Sequence, residues 1–539
     1  MKQFFLLLCT LLFSAAIFAQ VVTTGRIENL KDDWGTSYTY VGEIKNKMPN
    51  GLGMAIYSNG HALKYAGYFL NGKFHGKGAL VFEDGSFLSG DWKNGKLDGN
   101  CASLNKDWDL FIGAYKNGKK DGRGTYFYKD KSFLVGQLKD DNYNGRCIFI
   151  NASGTTLADN LYVNSKKDGT GYQYEVEKKK LYEGTWRGGE WVSSGTASFK
   201  SFVTNTSFTG ESTADQIIMG CTDKDRYLED TAFWYDIKKS VRYFGKHKAG
   251  YLVDGLIIRD SSRFLGKVND RGVYGYCSFL KLGKYYDEGM YKNDFLEGAN
   301  NLSINLDKKA IYYGNTKEGN FTGKAWLATA SNDMYVGSFE GGQFTGTGYM
   351  LFRNGKCVKG TFKDGSTETV TAFIDENGKP ISLKPKTTAE ALNIVVGEYD
   401  NNYEALKGST ILNMNEYDTA YYRAEKSIIS FPGSVRQNLV FETWNFYIGY
   451  EAAVYKGSNF AAAKTQYDKL CKEIAATSIK SKNGTVKPTG TKVNAEEGNT
   501  VNTRFEIAQM TDYNIWVQIK YEDGNYIVRL IAGDYKLED

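Results

Sequence analysis

A chain of 539 residues has room for three or four ordinary domains, yet 60 glycines beside 5 prolines is no ordinary composition. Glycine with so little proline excludes a collagen-like chain, and 15% aromatic residues supply buried surface that a disordered chain lacks. The 67 Lys and Arg nearly balance 62 Asp and Glu, which excludes the basic footprint of a nucleic-acid binder.

The chain opens with Met1-Lys2, an apolar run from Phe4 to Phe18, and Ala19-Gln20. A basic start, an apolar segment of about 15 residues and a small residue at its end predict a secretory signal, residues 1–19, cleaved after Ala19. The run is shorter than the ~20 residues of a membrane span. Export to a periplasm, a cell surface or the medium is the expectation, with residues 20–37 as a lead-in.

Self-similarity follows. Glycine recurs at Gly42, Gly67, Gly90, Gly113 and Gly136, loses register near Asp159, and returns at Gly184. A second series runs through Gly266, Gly289, Gly314, Gly337 and Gly360, mostly 23 residues apart. We read 38–195 as a first array, 196–243 as degenerate repeats or an insertion, and 244–366 as a second array. Phe208-Thr-Gly210 and Tyr243-Phe-Gly245 look like worn copies within or beside the central block.

Each unit has the grammar of a hairpin. Large residues flank the key glycine at two before and two after, as in Tyr65 and Phe69, Leu88 and Trp92, Phe111 and Tyr115, Tyr182 and Trp186, Tyr335 and Phe339. In a strand these share one face, with space over the glycine for a ring. Asn71-Gly72, Asn94-Gly95 and Asn117-Gly118 then predict turns, since both central residues need positive φ. A second strand opens with Gly-x-Gly, as in Gly76 and Gly78 or Gly346 and Gly348, and Asp84-Gly85 or Asn354-Gly355 turns into the next unit. The fold class expected is mainly β: an elongated, single-layer antiparallel meander of about a dozen hairpin repeats, followed by a small α+β domain.

The stretch Leu88-Ser-Gly-Asp-Trp-Lys-Asn-Gly-Lys-Leu-Asp-Gly99 resembles the MORN (membrane occupation and recognition nexus) repeat, Y-x-G-x-W-x-x-G-x-x-x-G-x-G. Phe111–Gly124 and Tyr335–Gly348 match the same pattern, and the resemblance covers about three-fifths of the chain. It implies a twisted sheet with a grooved face, used for protein or lipid attachment and not for chemistry. Several copies depart from it: Asp287 holds an aromatic position, Thr316 replaces the second aromatic, and the block 196–243 fits poorly.

Other motifs yield to the repeat. Gly-x-Gly here precedes strand-like runs such as Thr125-Tyr-Phe-Tyr128, whereas a phosphate-cradling loop opens a helix. His75, just before Gly76, reads as a turn residue, and the three histidines (His61, His75, His247) lie too far apart for a histidine-built metal site. Acid pairs such as Glu28/Asp32 and Asp140/Asp141 read as solvated loop charges. No catalytic, cofactor-binding or metal residues are therefore nominated. Cys101, Cys147 and Cys277 each fall 11 residues after their repeat glycine, a slot that elsewhere holds Gly53, Gly78, Gly124, Ala325 or Gly348; they read as small buried residues. Pairing of Cys221, Cys357 or Cys471 stays open. Trp92, Tyr115, Trp186 and Phe339 occupy one equivalent position and form the candidate binding face, the alternative being that this row is the packed side of the sheet.

After Gly365 the register stops. Residues 367–389, with Glu376-Asn-Gly-Lys-Pro-Ile-Ser-Leu-Lys-Pro385, read as a linker, and 390–539 as the α+β domain. Ser458 or Asn459 caps a helix whose Phe460, Ala463, Tyr467, Leu470, Cys471 and Ile474 share a face. Strands are expected at 420–430 and 435–442; the run Phe441–Tyr455 reads as another helix or its lead-in, an overlap left open. Polar 480–502, with Pro488, reads as a loop. Two strands, Tyr513–Tyr521 and Tyr526–Ile531, join at Asp523-Gly524.

The function expected is that of an exported, non-catalytic scaffold binding protein or envelope components. The alternatives are an enzyme or accessory resembling the repeat region of phosphatidylinositol phosphate kinases, or a glycan binder. Peripheral lipid or glycan contact stays open.

Overall fold

Turn chemistry converts the repeat into hairpins. The computed structural model describes residues 23–534, apart from 59–61, 179, 197–207, 223–227, 270, 402, 411–420, 444–446, 482–483, 494–500, 509 and 511–512. The expected signal at 1–19 and His61 lie outside the described residues. Asn71 and Gly72 take φ of 49° and 81°, Asn94 and Gly95 51° and 84°, Asn117 and Gly118 50° and 85°. Two successive left-handed residues give the twist a two-residue hairpin needs. Asp140-Asp141 and Asn293-Asp294 adopt the same sign of φ without glycine, Asn and Asp being the side chains that tolerate it best.

Strands from Thr23–Lys31 to Glu190–Thr196 form a first sheet in which chain neighbours pair antiparallel, with the short strand Lys166–Lys167 at its side. A second meander starts at Phe208–Ser212. Among the described residues of 38–366 every regular element is a strand. Among the described residues no pairing joins Glu190–Thr196 to Phe208–Ser212. The worn copy at Gly245 keeps its glycine pair, opposite Gly255.

The repeat glycine stands opposite a small residue: Gly42 faces Gly53, Gly67 faces Gly78, Gly113 faces Gly124, and Gly90 faces Cys101. In the first three pairs the ring two residues before lies across the pair. A Cβ on Gly42 would sit 2.4 Å from the Tyr40 hydroxyl, and one on Gly124 would sit 2.3 Å from the Phe111 ring. The covering tyrosine then donates three residues ahead, Tyr40 to the Glu43 carbonyl at 2.6 Å and Tyr65 to that of Tyr68 at 3.1 Å. Directly after the glycine the register slips, between Gly42 and Ile44, Gly90 and Trp92, and Gly113 and Tyr115. A bulge at the same place in copy after copy adds twist to the sheet.

Tertiary contacts divide the chain into two units near residue 337. Within the first, the two meanders face each other. Phe87 meets Tyr286 at 4.9 Å, Phe133 meets Phe244 at 5.2 Å, and Arg242 donates to the Ala152 carbonyl at 2.6 Å. Buried Lys64 reaches the Thr329 carbonyl, and Lys131 pairs with Asp260. Early residues meet late ones throughout, so one array doubles back along the other. Each array is a single sheet; the two make layers because the face away from the glycine-covering rings also carries buried side chains, such as Phe87 and Ser89.

The second unit builds its core from the last repeat strands and the terminal domain together. Phe352, Val358 and Phe373 pack in one cluster with Leu392, Val395, Tyr450 and Tyr467. Lys356, at a repeat turn, forms a buried ion pair with Glu398. Helix α1, Thr388–Val396, was not foreseen, although Thr387 accepts from the Glu390 amide in the Thr-x-x-Glu pattern of a capped start. Helix α2, Phe460–Ala476, is the expected one, capped by Asn459 and burying Ala463, Tyr467, Leu470 and Ile474.

The described residues of 441–455 are not helical. They fall mostly in strands Leu439–Thr443 and Ile448–Gly457, because the latter pairs with the final strand Asn525–Gly533 in the middle of an eight-stranded sheet. Residues 480–502, expected as a loop, contain strands Ile479–Ser481, Gly484–Val486 and Thr489–Val493, the last pairing with Val501–Glu506. The hairpin at Asp523-Gly524 joins Asn514–Glu522 to Asn525–Gly533.

Candidate functional site

The face that carries the rings on either side of each repeat glycine is hollow between repeats. On the first sheet it forms a groove of about 580 Å³, bordered by Trp34, Leu88, Trp92, Tyr115 and Lys120. On the second sheet the equivalent groove measures about 1070 Å³ and is walled by Tyr243, Phe264, Phe279, Tyr285, Tyr291 and Tyr312. In the second unit a smaller cleft of about 490 Å³ lies beside Thr388, Leu470 and Glu473.

The four nominated residues are buried. Trp92, Tyr115, Trp186 and Phe339 are 3%, 7%, 6% and 2% exposed. Trp92 donates to the Gly78 carbonyl at 3.0 Å and stands edge-on to Tyr65 and Phe74. Tyr115 donates to Ser103 Oγ at 2.8 Å. Trp186 lies under Lys167, 5.0 Å from ammonium to ring centre. Phe339, in the second unit, meets Phe344 edge-on at 5.4 Å. Trp92 and Tyr115 are brought together on the wall of the first groove; Trp186 and Phe339 line neither groove. What the spacing did not single out is Trp34, more than half exposed at that groove's margin, and Lys120 inside it. The Lys120 ammonium lies 5.4, 5.8 and 5.5 Å from the Phe111, Tyr115 and Tyr126 rings, and burial lowers its pKa.

The departures at Asp287 and Thr316 gather in one place. Asp287 stands opposite Phe279 on one side and Ser303 on the other. Two residues from Ser303, buried Asn301 fills the slot opposite Gly314, accepts from the Met290 amide at 2.9 Å and donates to Thr316 at 2.6 Å. Asp287, Ser303, Asn301 and Thr316 thus make a polar strip across the second sheet, with Asp287 and Thr316 at positions where neighbouring copies carry aromatic rings. Burial raises the Asp287 pKa to about 6, offset in part by a hydrogen bond with Ser303.

The buried thiols are not poised for chemistry. Burial raises Cys101 to about 12, and Cys147 and Cys277 to about 11. Cys147 and Cys277 fill the space over Gly136 and Gly266, and Cys101 and Cys147 belong to strands four apart in the first sheet. His75 immediately precedes Gly76, which takes φ 60°, and His247 bonds the Gly245 carbonyl. Among the described residues no three His, Cys, Asp or Glu side chains group as metal ligands. Nor is any described helix long and apolar enough to cross a membrane.

Comparison with curated proteins returns no match. Among solved structures, the WD40 domain of SCAP from fission yeast aligns at 9% identity over 88% of this chain and 84% of that one. Its TM-score of 0.11 places no weight on the likeness. The MORN repeat model matches residues 40–62, 65–87, 89–102, 111–133, 182–201 and 335–357. The first four of these segments hold the repeat glycines whose pairing is described above, and across residues 40–357 the chain carries MORN repeats.

Proposed function

We propose that the protein is an exported, non-catalytic binding platform whose repeat sheets hold a protein component of the cell envelope. The observation that carries this reading is the pair of ring-walled grooves in the first unit, long open surfaces rather than enclosed cavities. Such a surface binds through many moderate contacts, with aromatic side chains as anchors. The terminal domain serves as the second module. Export rests on the basic start and apolar run of residues 1–18.

Two measurements test this. N-terminal sequencing of the chain recovered outside the cytoplasm should begin at Gln20; an uncleaved cytoplasmic chain overturns export. Cross-linking of the mature chain in envelope extracts should identify a specific protein, and Trp34→Ala, at an exposed site, should weaken its capture. Capture of nothing specific overturns the platform reading.

A further inference from the structure

Resting on the platform reading, we infer that the groove of the second sheet takes an extended polypeptide whose arginine or lysine side chain seats on Asp287. Three observations converge. The first is reach: the lining residues run from Tyr243 to Leu327, across eight successively paired strands. At ~4.8 Å per strand that is roughly 34 Å, the span of about ten extended residues and far more than a free amine would fill.

The second is a missing ring. The neighbouring copies place Phe264 and Tyr312 two residues before their glycines, and this copy places Asp287 there. Aspartate is smaller than either, so the floor sinks between two aromatic walls. On its own strand Asp287 is flanked on the same face by Tyr285 and, across Gly289, by Tyr291.

The third is charge. Asp287 holds a hydrogen bond with Ser303 but has no ion-pair partner among the described residues, although Arg259 and Lys308 also border the groove. Asp294, the other carboxylate there, is occupied by the Val273 amide at 2.7 Å. A carboxylate walled by tyrosine and phenylalanine faces complements a cation twice, by ion pairing and by attraction to the rings. Guanidinium or ammonium on a flexible stem meets both terms, and the stem covers the rings.

The test selects dodecapeptides from a random phage-displayed library on the immobilised full chain, then measures the winners by fluorescence anisotropy. Arginine or lysine should be enriched at one position. Asp287→Asn should weaken the winners about tenfold or more, the scale of a hydrogen bond to a charged group. Asp287→Phe, which restores the ring of the flanking copies, should do the same while keeping the fold. Winners without a basic residue, or with affinity unchanged by Asp287→Asn, overturn the inference and leave the platform reading standing. Self-association of the chain that Asp287→Asn abolishes also overturns it, by making a second copy the occupant. Selection of no peptide at all, by either groove, overturns both.

Discussion

Asn301 donates to Thr316 Oγ1 at 2.6 Å, and both side chains are buried in the second sheet. The threonine that breaks the aromatic pattern is therefore not a gap in the repeat but one end of a hydrogen bond that replaces ring packing. Removing one end leaves a buried amide donor unsatisfied. Thr316→Val, nearly isosteric, should destabilise the chain by about 1–3 kcal/mol. A denaturation cycle with Asn301→Ala should show coupling of about 0.5 kcal/mol or more; strict additivity would mean that the bond contributes nothing.

Gly124 has no room for a methyl group. A Cβ there would lie 2.3–2.4 Å from the Phe111 ring. Gly124→Ala should cost at least about 2 kcal/mol, the scale of overpacking in a filled core. Adding Phe111→Leu should recover part of the loss. Thermal denaturation of the single and double variants is the check, and an unchanged midpoint for Gly124→Ala would contradict the ring-over-glycine account.

Asp287 makes stability fall with pH in a narrow window. Its pKa is raised to about 6 by burial, against an ordinary value near 4. The folded chain therefore holds a proton that the unfolded chain has released between about pH 4 and 6. The groups around it are Phe279, Ser303, Tyr285 and Tyr291, with Arg259, Lys308 and Asp294 further along the groove. Stability should drop by on the order of 1–2 kcal/mol across the window, allowing for partial exposure. Asp287→Asn should remove the drop and raise the melting temperature at pH 8 but not at pH 4.

Lys64 has the opposite sign. Burial between the sheets lowers its pKa to about 8, partly offset by Asp333. Between about pH 8 and 10.5 the unfolded chain keeps a proton that the folded chain has lost, so this group makes stability rise with pH there. Lys64→Met should abolish that rise and leave the fold intact at pH 7, as urea titrations across pH would show. A rise that persists in the variant would assign it to other groups.

Much of the molecule was legible because the decisive contacts are local. Asn-Gly turns, rings over glycines two residues away, and cysteines in a slot 11 residues on all lie within one hairpin, so spacing along the chain determined them. Helix α2 was legible for the same reason, through its Asn459 cap and one apolar face. Helix α1 left the same kind of signal at Thr387 and Glu390, hidden inside a stretch whose Pro380 and Pro385 read as linker. The strand Ile448–Gly457 was not legible: its residues Gly449 to Ala453, Glu451 among them, are buried on both faces, and only pairing with Asn525–Gly533 decides it.

The sequence by itself determined the repeat, its turns and its departures at Asp287 and Thr316. Only the tertiary structure decided that the two arrays face each other, since residues such as Lys64 and Thr329 are 265 positions apart. It also decided that the nominated rings are buried, those of the first sheet apart from Phe339 in the second, and that Asp287 and Thr316 belong to one strip. The physical reason is the same in each case. A period sets which side chains share a face, but which face finds a cover depends on chain segments that no local spacing relates.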